Sequence, residues 1–210
     1  YNVYQDYRKF YKHMEAPVSQ ARLPLYLHWE ELMHVRELES ENRRKERVRD
    51  LFLFMCFTGI RFSELQRVKK EDVNQESIHI RKPGGGLRLV PLNKHAREVH
   101  QRYADKYYVN NAAFPVMSII TMNKYLRIIG KETGLKRLIY NDISEPGVPL
   151  YKRLTAGVAI HTFIKNAMEL EIPLEVISRI TGVQKDSRIR RIKSDLADIE
   201  MRKFDSELSP

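Results

Sequence analysis

The sequence predicts a mainly α domain carrying one small antiparallel β-sheet (α+β). Three observations predict it. Apolar residues recur at helical spacing through most of the chain, Gly, Pro and capping residues cut these stripes into segments, and one central stretch alternates as a hairpin. At 210 residues, 42% hydrophobic and 30% charged, the chain has the composition of a globule large enough to bury a core.

The elements follow in order. Val3, Tyr4, Tyr7, Phe10, Tyr11 and Met14 form an apolar stripe at helical spacing that begins mid-pattern and without a Met, as the end of a helix from a longer chain does. Pro17 and Pro24 mark residues 16–24 as a linker. Residues 28–46 are charged and helix-permissive, and the basic cluster Arg43, Arg44, Lys45, Arg47 and Arg49 precedes the apolar segment LFLFMCF at 51–57. Thr58-Gly59 ends that helix, and Ser63 with Gln66 three residues on reads as a capping box that starts another. SIHIRKPGGGLRLVPL (77–92) is the clearest hairpin: Ile78 and Ile80 alternate with polar residues, Leu87 and Leu89 flank Arg88, and Pro83 with three glycines makes the turn. Asn93 caps a helix to about Tyr108, and Met122–Thr133 is a helix stopped by Gly134. After a loop with Pro146, Gly147 and Pro149 come helices at about 158–170 and 174–181, the second opened by Pro173 and stopped by Gly182. Residues 179–193 carry six bases and one acid, whereas from Ser194 onward there are five acids and two bases.

Charge narrows the function. With 37 Lys+Arg against 27 Asp+Glu, a net +10, the chain favours polyanions, nucleic acid first. One cysteine excludes a disulfide framework and fits a reducing compartment; Cys56, inside an apolar run, reads as a core thiol. No apolar run approaches the roughly 20 residues of a membrane span, and the first residues hold no signal-peptide core. The seven histidines are scattered without metal-ligand spacing, so neither metal nor cofactor is expected. The triple glycine lacks a following Gly-Lys-Ser/Thr and leads into a strand, which rejects a nucleotide phosphate loop.

The order of the segments carries a family resemblance. TGIRFSEL (58–65) precedes a hairpin with a basic first strand; then come Leu154-Thr155, His161-Thr162-Phe163, a Pro-initiated helix at 173–180, and Thr181-Gly182. This resembles the catalytic domain of tyrosine recombinases, the phage-integrase family, over about residues 21–205. The resemblance implies two regions: residues 1–20 as the end of a core-binding domain plus linker, and 21–210 as the catalytic-like domain.

In that family a tyrosine phenolate attacks a DNA phosphodiester, while two arginines and a histidine hold the oxygens on which charge develops and a hairpin lysine protonates the leaving oxygen. Carried over, Arg61 fills the first arginine position, and the lysine position falls on Lys82 or, by another spacing, on Pro83. The His-x-x-Arg reads Gly157-Val158-Ala159-Ile160, so histidine is replaced by Gly157 and the second arginine by Ile160. The histidine after Gly182 is Val183, the nucleophile position is Ile192, and the last tyrosine in the chain is Tyr151.

Each retained residue has a plainer alternative. Arg61 either grips phosphate or caps the carbonyls of the preceding helix and pairs with an acid, and Glu64 supports that arginine or the helix start. Lys82 is a DNA contact or a solvated hairpin charge, and His161 reads as a structural histidine behind the site. Arg81, Lys185, Arg188, Arg190 and Arg191 are candidate DNA contacts or solvated charges. The expected function is a bacterial, cytoplasmic and nucleoid-associated DNA-binding relative of mobile-element integrases that does not cleave: a pseudoenzyme gripping the phosphate backbone of double-stranded DNA. Two alternatives stand beside it, an active subunit completed in trans by a tyrosine-bearing partner and a protein-interaction remnant. The C-terminal segment either docks on another recombinase protomer or folds back on its own domain.

Overall fold

The computed structural model describes residues 24–82, 85–140, 146–183 and 192. The expected helix end at 1–14 lies outside them. So does the C-terminal segment from 193 onward.

The core is organised on one helix. α1 spans Trp29–Glu37 and α2 spans Arg43–Thr58. The sequence reads 28–46 as continuously helix-permissive, but the chain breaks at 38–42 and restarts at Asn42, whose side chain accepts from the backbone N–H groups of Arg44 and Lys45. Every residue of α2 from Val48 to Thr58 is buried, as befits a helix apolar all round. Each fully buried Leu or Phe there contributes roughly 1.5–3 kcal/mol. Two members of this buried stretch, Arg49 and Asp50, are charged. Asp50, 1% exposed, accepts from Arg49 Nε at 3.0 Å, Arg102 Nη1 at 2.9 Å and the Tyr103 hydroxyl at 2.9 Å. The basic cluster before the apolar run therefore turns one member inward, because Arg49 also donates to the Leu38 carbonyl and closes the break.

Gly59 ends α2 in the left-handed region (φ 68°) and donates to the Met55 carbonyl. The next helix, α3, is only Phe62–Leu65, and its start differs from the expected Ser63–Gln66 box. Glu64 instead accepts the Arg61 N–H at 2.9 Å, and the Gln66 side chain accepts the Met117 N–H at 2.7 Å.

The hairpin forms as expected. β1 (Ser77–Arg81) and β2 (Leu87–Pro91) are antiparallel, with Ile80 opposite Arg88. This register sets Ile78, Ile80 and Val90 inward and Arg88 with them, while Leu87 and Leu89 are 59% and 55% exposed. α4 runs from Lys94 to Ala104, stopping short of the expected Tyr108, and α5 runs from Ile119 to Glu132 behind a Ser118 cap. A second ladder, β3 (Leu138–Ile139) with β4 (Val148–Pro149), leads into α6 (Leu150–Arg153). α7 (Val158–Glu169) and α8 (Leu174–Thr181) finish the described fold, with Gly182 at φ 67° as the stop.

α1, α4, α5 and α7 pack around α2, and α8 packs on both α7 and β2. This brings the end of α2, the hairpin and the start of α7 to one region. Among the described residues, no helix is long and apolar enough to cross a membrane.

Candidate functional site

Arg61 emerges where α2 has just ended. Its backbone N–H is fixed by Glu64, and its Nη1 lies 3.3 Å from Glu64 Oε1, leaving the side chain 36% exposed. The same carboxylate oxygen lies 2.7 Å from Nη2 of Arg88, a guanidinium that also donates to the Ile180 carbonyl. Burial lowers the Arg88 pKa from its ordinary value and Glu64 opposes that shift. Glu64 therefore serves two arginines, one buried and one facing outward. Arg88 is missed when the strand is read by composition. Its signal is the period of two it shares with Val90.

Arg61 faces a cavity of about 640 Å³ whose polar lining is Arg61, Ser63, Arg153, Thr155 and His161. Gly157 and Ile160 line the same cavity, so three positions that the resemblance singles out lie together. Among the described residues, no carboxylate lines it. Arg153, the last residue of α6, is a second cation lining it, and no local pattern marks it out. His161 sits on α7 with Nδ1 3.2 Å from the Leu25 carbonyl, and its neighbour Thr162 accepts the Leu27 N–H at 3.0 Å. These two bonds tie the entering chain to α7.

The remaining substituted positions come together as well. Ile160, Val183 and Ile192 are all buried and belong to one apolar cluster with Ile164, Ala167 and Ile177. No member can donate a proton, attack phosphorus or hold an anion. Gly157 is exposed, and among the described residues a Cβ there would meet only Thr155 Oγ1, at 3.7 Å.

The hairpin cations stand elsewhere. Arg81 and Lys82 line a smaller cavity of about 190 Å³ with Glu64, Arg67, Asp72 and His79. Arg81 is paired with Asp72 at 2.8 Å, whereas Lys82 is exposed and its backbone N–H donates to the Gly86 carbonyl. Arg61 and Lys82 thus line different cavities. Glu64 links them, lining the second while binding the arginine of the first. Lys185, Arg188, Arg190 and Arg191 lie outside the described residues. Cys56 is buried, and burial pushes its thiol well above the ordinary value, as a core thiol requires.

No protein-family model matches the chain. It is similar to the tyrosine recombinase XerD of Staphylococcus saprophyticus, with 23% identity over 202 residues, and covers 94% of this chain but 66% of that relative. Among solved structures, the XerA recombinase superposes with a TM-score of 0.63 at 21% identity, over 98% of this chain and 74% of that one. The XerH site-specific recombinase bound to palindromic difH substrate, a post-cleavage complex, gives 0.67 at 20% identity, over 89% and 54%. The catalytic domain of bacteriophage HP1 integrase gives 0.55 at 17% identity, over 81% and 87%. The fold is that of a tyrosine recombinase catalytic domain.

Proposed function

We propose that this recombinase-type fold serves to grip double-stranded DNA through its phosphate backbone without cleaving it, in a recombination or integration context in the bacterial cytoplasm. One observation carries the reading. Arg61, held by Glu64, lines a cavity, while Ile160, Val183 and Ile192, where the resemblance calls for arginine, histidine and tyrosine, form one buried apolar cluster. Binding tolerates that replacement, because affinity for duplex DNA comes largely from many Lys/Arg–phosphate contacts. Strand cleavage does not tolerate it, since it requires a nucleophile and donors aimed at the developing charge. The net charge of +10 supports the same reading, and the similar XerH structure is itself a complex with its DNA substrate.

Completion in trans is weaker on the same observation. A partner's tyrosine would still meet isoleucine at 160 and valine at 183.

The test has two arms. Duplex affinity measured across a salt series is expected to fall steeply, with a slope of about −0.9 per phosphate contacted. A nicked suicide duplex is expected to give no covalent adduct, with the protein alone or mixed with a tyrosine-bearing recombinase. Salt-insensitive or absent binding removes the DNA reading, and an adduct removes the non-cleaving one.

A further inference from the structure

We infer that the outward face of α5 selects A·T base pairs in the major groove of duplex DNA, Ile119 and Ile120 meeting thymine methyl groups while Lys124, Arg127 and Lys131 hold flanking phosphates. The inference rests on the DNA-binding reading above and names the base chemistry that this surface prefers.

Helical spacing sorts the residues of α5 by side. Met122, Leu126 and Ile129 are buried toward the core, where α5 packs on α2 and α6. At about 3.6 residues per turn, Ile120, Lys124, Arg127 and Lys131 share the opposite side, and all four are exposed. Ile120 is 77% exposed and Ile119 45%, and Val116, just ahead of the Ser118 cap, is exposed with them. Asn123 Oδ1 accepts the Ala156 N–H at 2.9 Å, which fixes the helix against the turn leading into α7. Ile119 also lines the cavity that Arg61 lines, so the first turn of α5 borders the candidate site.

Charge and apolar surface together choose the partner. Among the described residues, Lys124, Arg127 and Lys131 enter no ion pair, and Glu132, the only acid of α5, is held by Lys45 at 2.8 Å. Three such cations select a polyanion. The isoleucines at the N-terminal end of the stripe require that polyanion to offer hydrocarbon as well. Duplex DNA does so in the major groove, where thymine presents its C5-methyl, and a groove about 12 Å wide admits an α-helix. A helix of 14 residues is about 21 Å long, enough to set its first turn against base edges and its later turns against the backbone. An acidic protein face would satisfy the cations equally, and the test separates the two.

The test uses the whole chain and two short duplexes of one A·T-rich sequence. One carries thymine; in the other every thymine is replaced by deoxyuridine, which removes only the methyl. Fluorescence anisotropy across a salt series is expected to show wild type preferring the thymine duplex by about fourfold for each methyl buried. Ile119→Ser/Ile120→Ser is expected to bind both duplexes alike. Because the readout is a ratio within each protein, a general loss of binding does not mimic it. Lys124→Gln/Arg127→Gln is expected to keep the thymine preference while lowering the salt slope by about 0.9 for each phosphate contact removed. Leu170→Ser is the control: Leu170 is comparably exposed, at the far end of α7, and its loss leaves both readouts unchanged.

The outcomes separate the two readings. If wild type binds neither duplex, the DNA reading fails and this inference fails with it. If wild type binds both equally well, the DNA reading stands and the inference alone is overturned. A thymine preference that survives Ile119→Ser/Ile120→Ser places the methyl contact elsewhere and overturns it too. An unchanged slope in Lys124→Gln/Arg127→Gln does the same, since the stripe then faces an acidic protein and not the DNA backbone.

Discussion

Arg88 and Glu64 form a nearly buried ion pair, Nη2 to Oε1 at 2.7 Å, and the carboxylate that holds Arg88 is the one that positions Arg61. Arg88 is 5% exposed and also donates to the Ile180 carbonyl, so it fastens the hairpin to α8 and to the start of α3 together. Arg88→Met is expected to destabilise the fold by about 3–5 kcal/mol, the usual cost of stripping one partner from a buried pair. Urea denaturation measures it, and a loss below about 1 kcal/mol would show that Glu64 is satisfied without Arg88. Because Glu64 is shared, the same variant is expected to loosen Arg61 and weaken duplex binding, although Arg88 lines neither cavity.

How much of this was legible depends on the kind of signal. Gly59, Gly134 and Gly182 stop helices as read, because a left-handed residue is a local demand that glycine meets. The hairpin is equally legible, since Ile78 and Ile80 fix the buried face of its first strand. Its second strand is not. Leu87 and Leu89 advertise an inward face, yet the register sets Arg88 inward, because Glu64 and the Ile180 carbonyl wait there. Those partners lie 24 and 92 residues away in sequence, and no local pattern reports them. Arg153 stayed hidden for the same reason. The convergence of Ile160, Val183 and Ile192 followed from the resemblance as three separate substitutions, but that they pack on one another is a tertiary fact.

Gly59 is held to glycine twice over. Its φ of 68° disfavours any Cβ, and a Cβ there would lie 2.7 Å from Phe163 Cδ1 and 2.9 Å from Thr181 Cγ2. Gly59→Ala is therefore expected to cost on the order of 1–3 kcal/mol and to disturb the packing of α7 and α8 against the end of α2. Thermal denaturation together with duplex affinity checks it. An unchanged melting temperature would mean that the Phe163 ring yields freely.

Stability is expected to fall on mild acidification. His28 is half-buried, and its pKa lies below the ordinary 6.5 because of burial first and then the charges of Arg137 and Lys165, which outweigh Glu31 and Glu169. His100 is lowered in the same direction by burial and by Lys70. The unfolded chain therefore takes up these protons before the folded one does. Their stabilising contribution is complete above pH 6.5 and is lost as pH falls through the folded values. Urea midpoints at pH 7.5 and 5.5 should drop for wild type, and the drop should shrink in a His28→Gln/His100→Gln variant. A midpoint that rises on acidification contradicts the assignment.

Placing a phenol at 192, where the resemblance puts the nucleophile, is the sharpest trial of the apolar cluster. Ile192 is fully buried among Ile160, Ile164, Ile177 and Val183, so Ile192→Tyr adds volume to a packed site and buries a hydroxyl among groups with nothing to offer it. The expected cost is about 1–3 kcal/mol, with no phosphotyrosyl adduct on a nicked duplex. The chemistry explains the second half of that expectation. A phenol attacks phosphate only where donors receive the charge that develops on the oxygens, and the loss of one such donor typically slows a reaction by on the order of 10²–10³. At 157, 160 and 183 this chain carries glycine, isoleucine and valine, so a lone tyrosine meets a clamp reduced to Arg61. Adding Gly157→His, Ile160→Arg and Val183→His to Ile192→Tyr is expected to be the smallest change that gives a detectable adduct by denaturing gel. An adduct from Ile192→Tyr alone would mean that Arg61 suffices to stabilise the transition state.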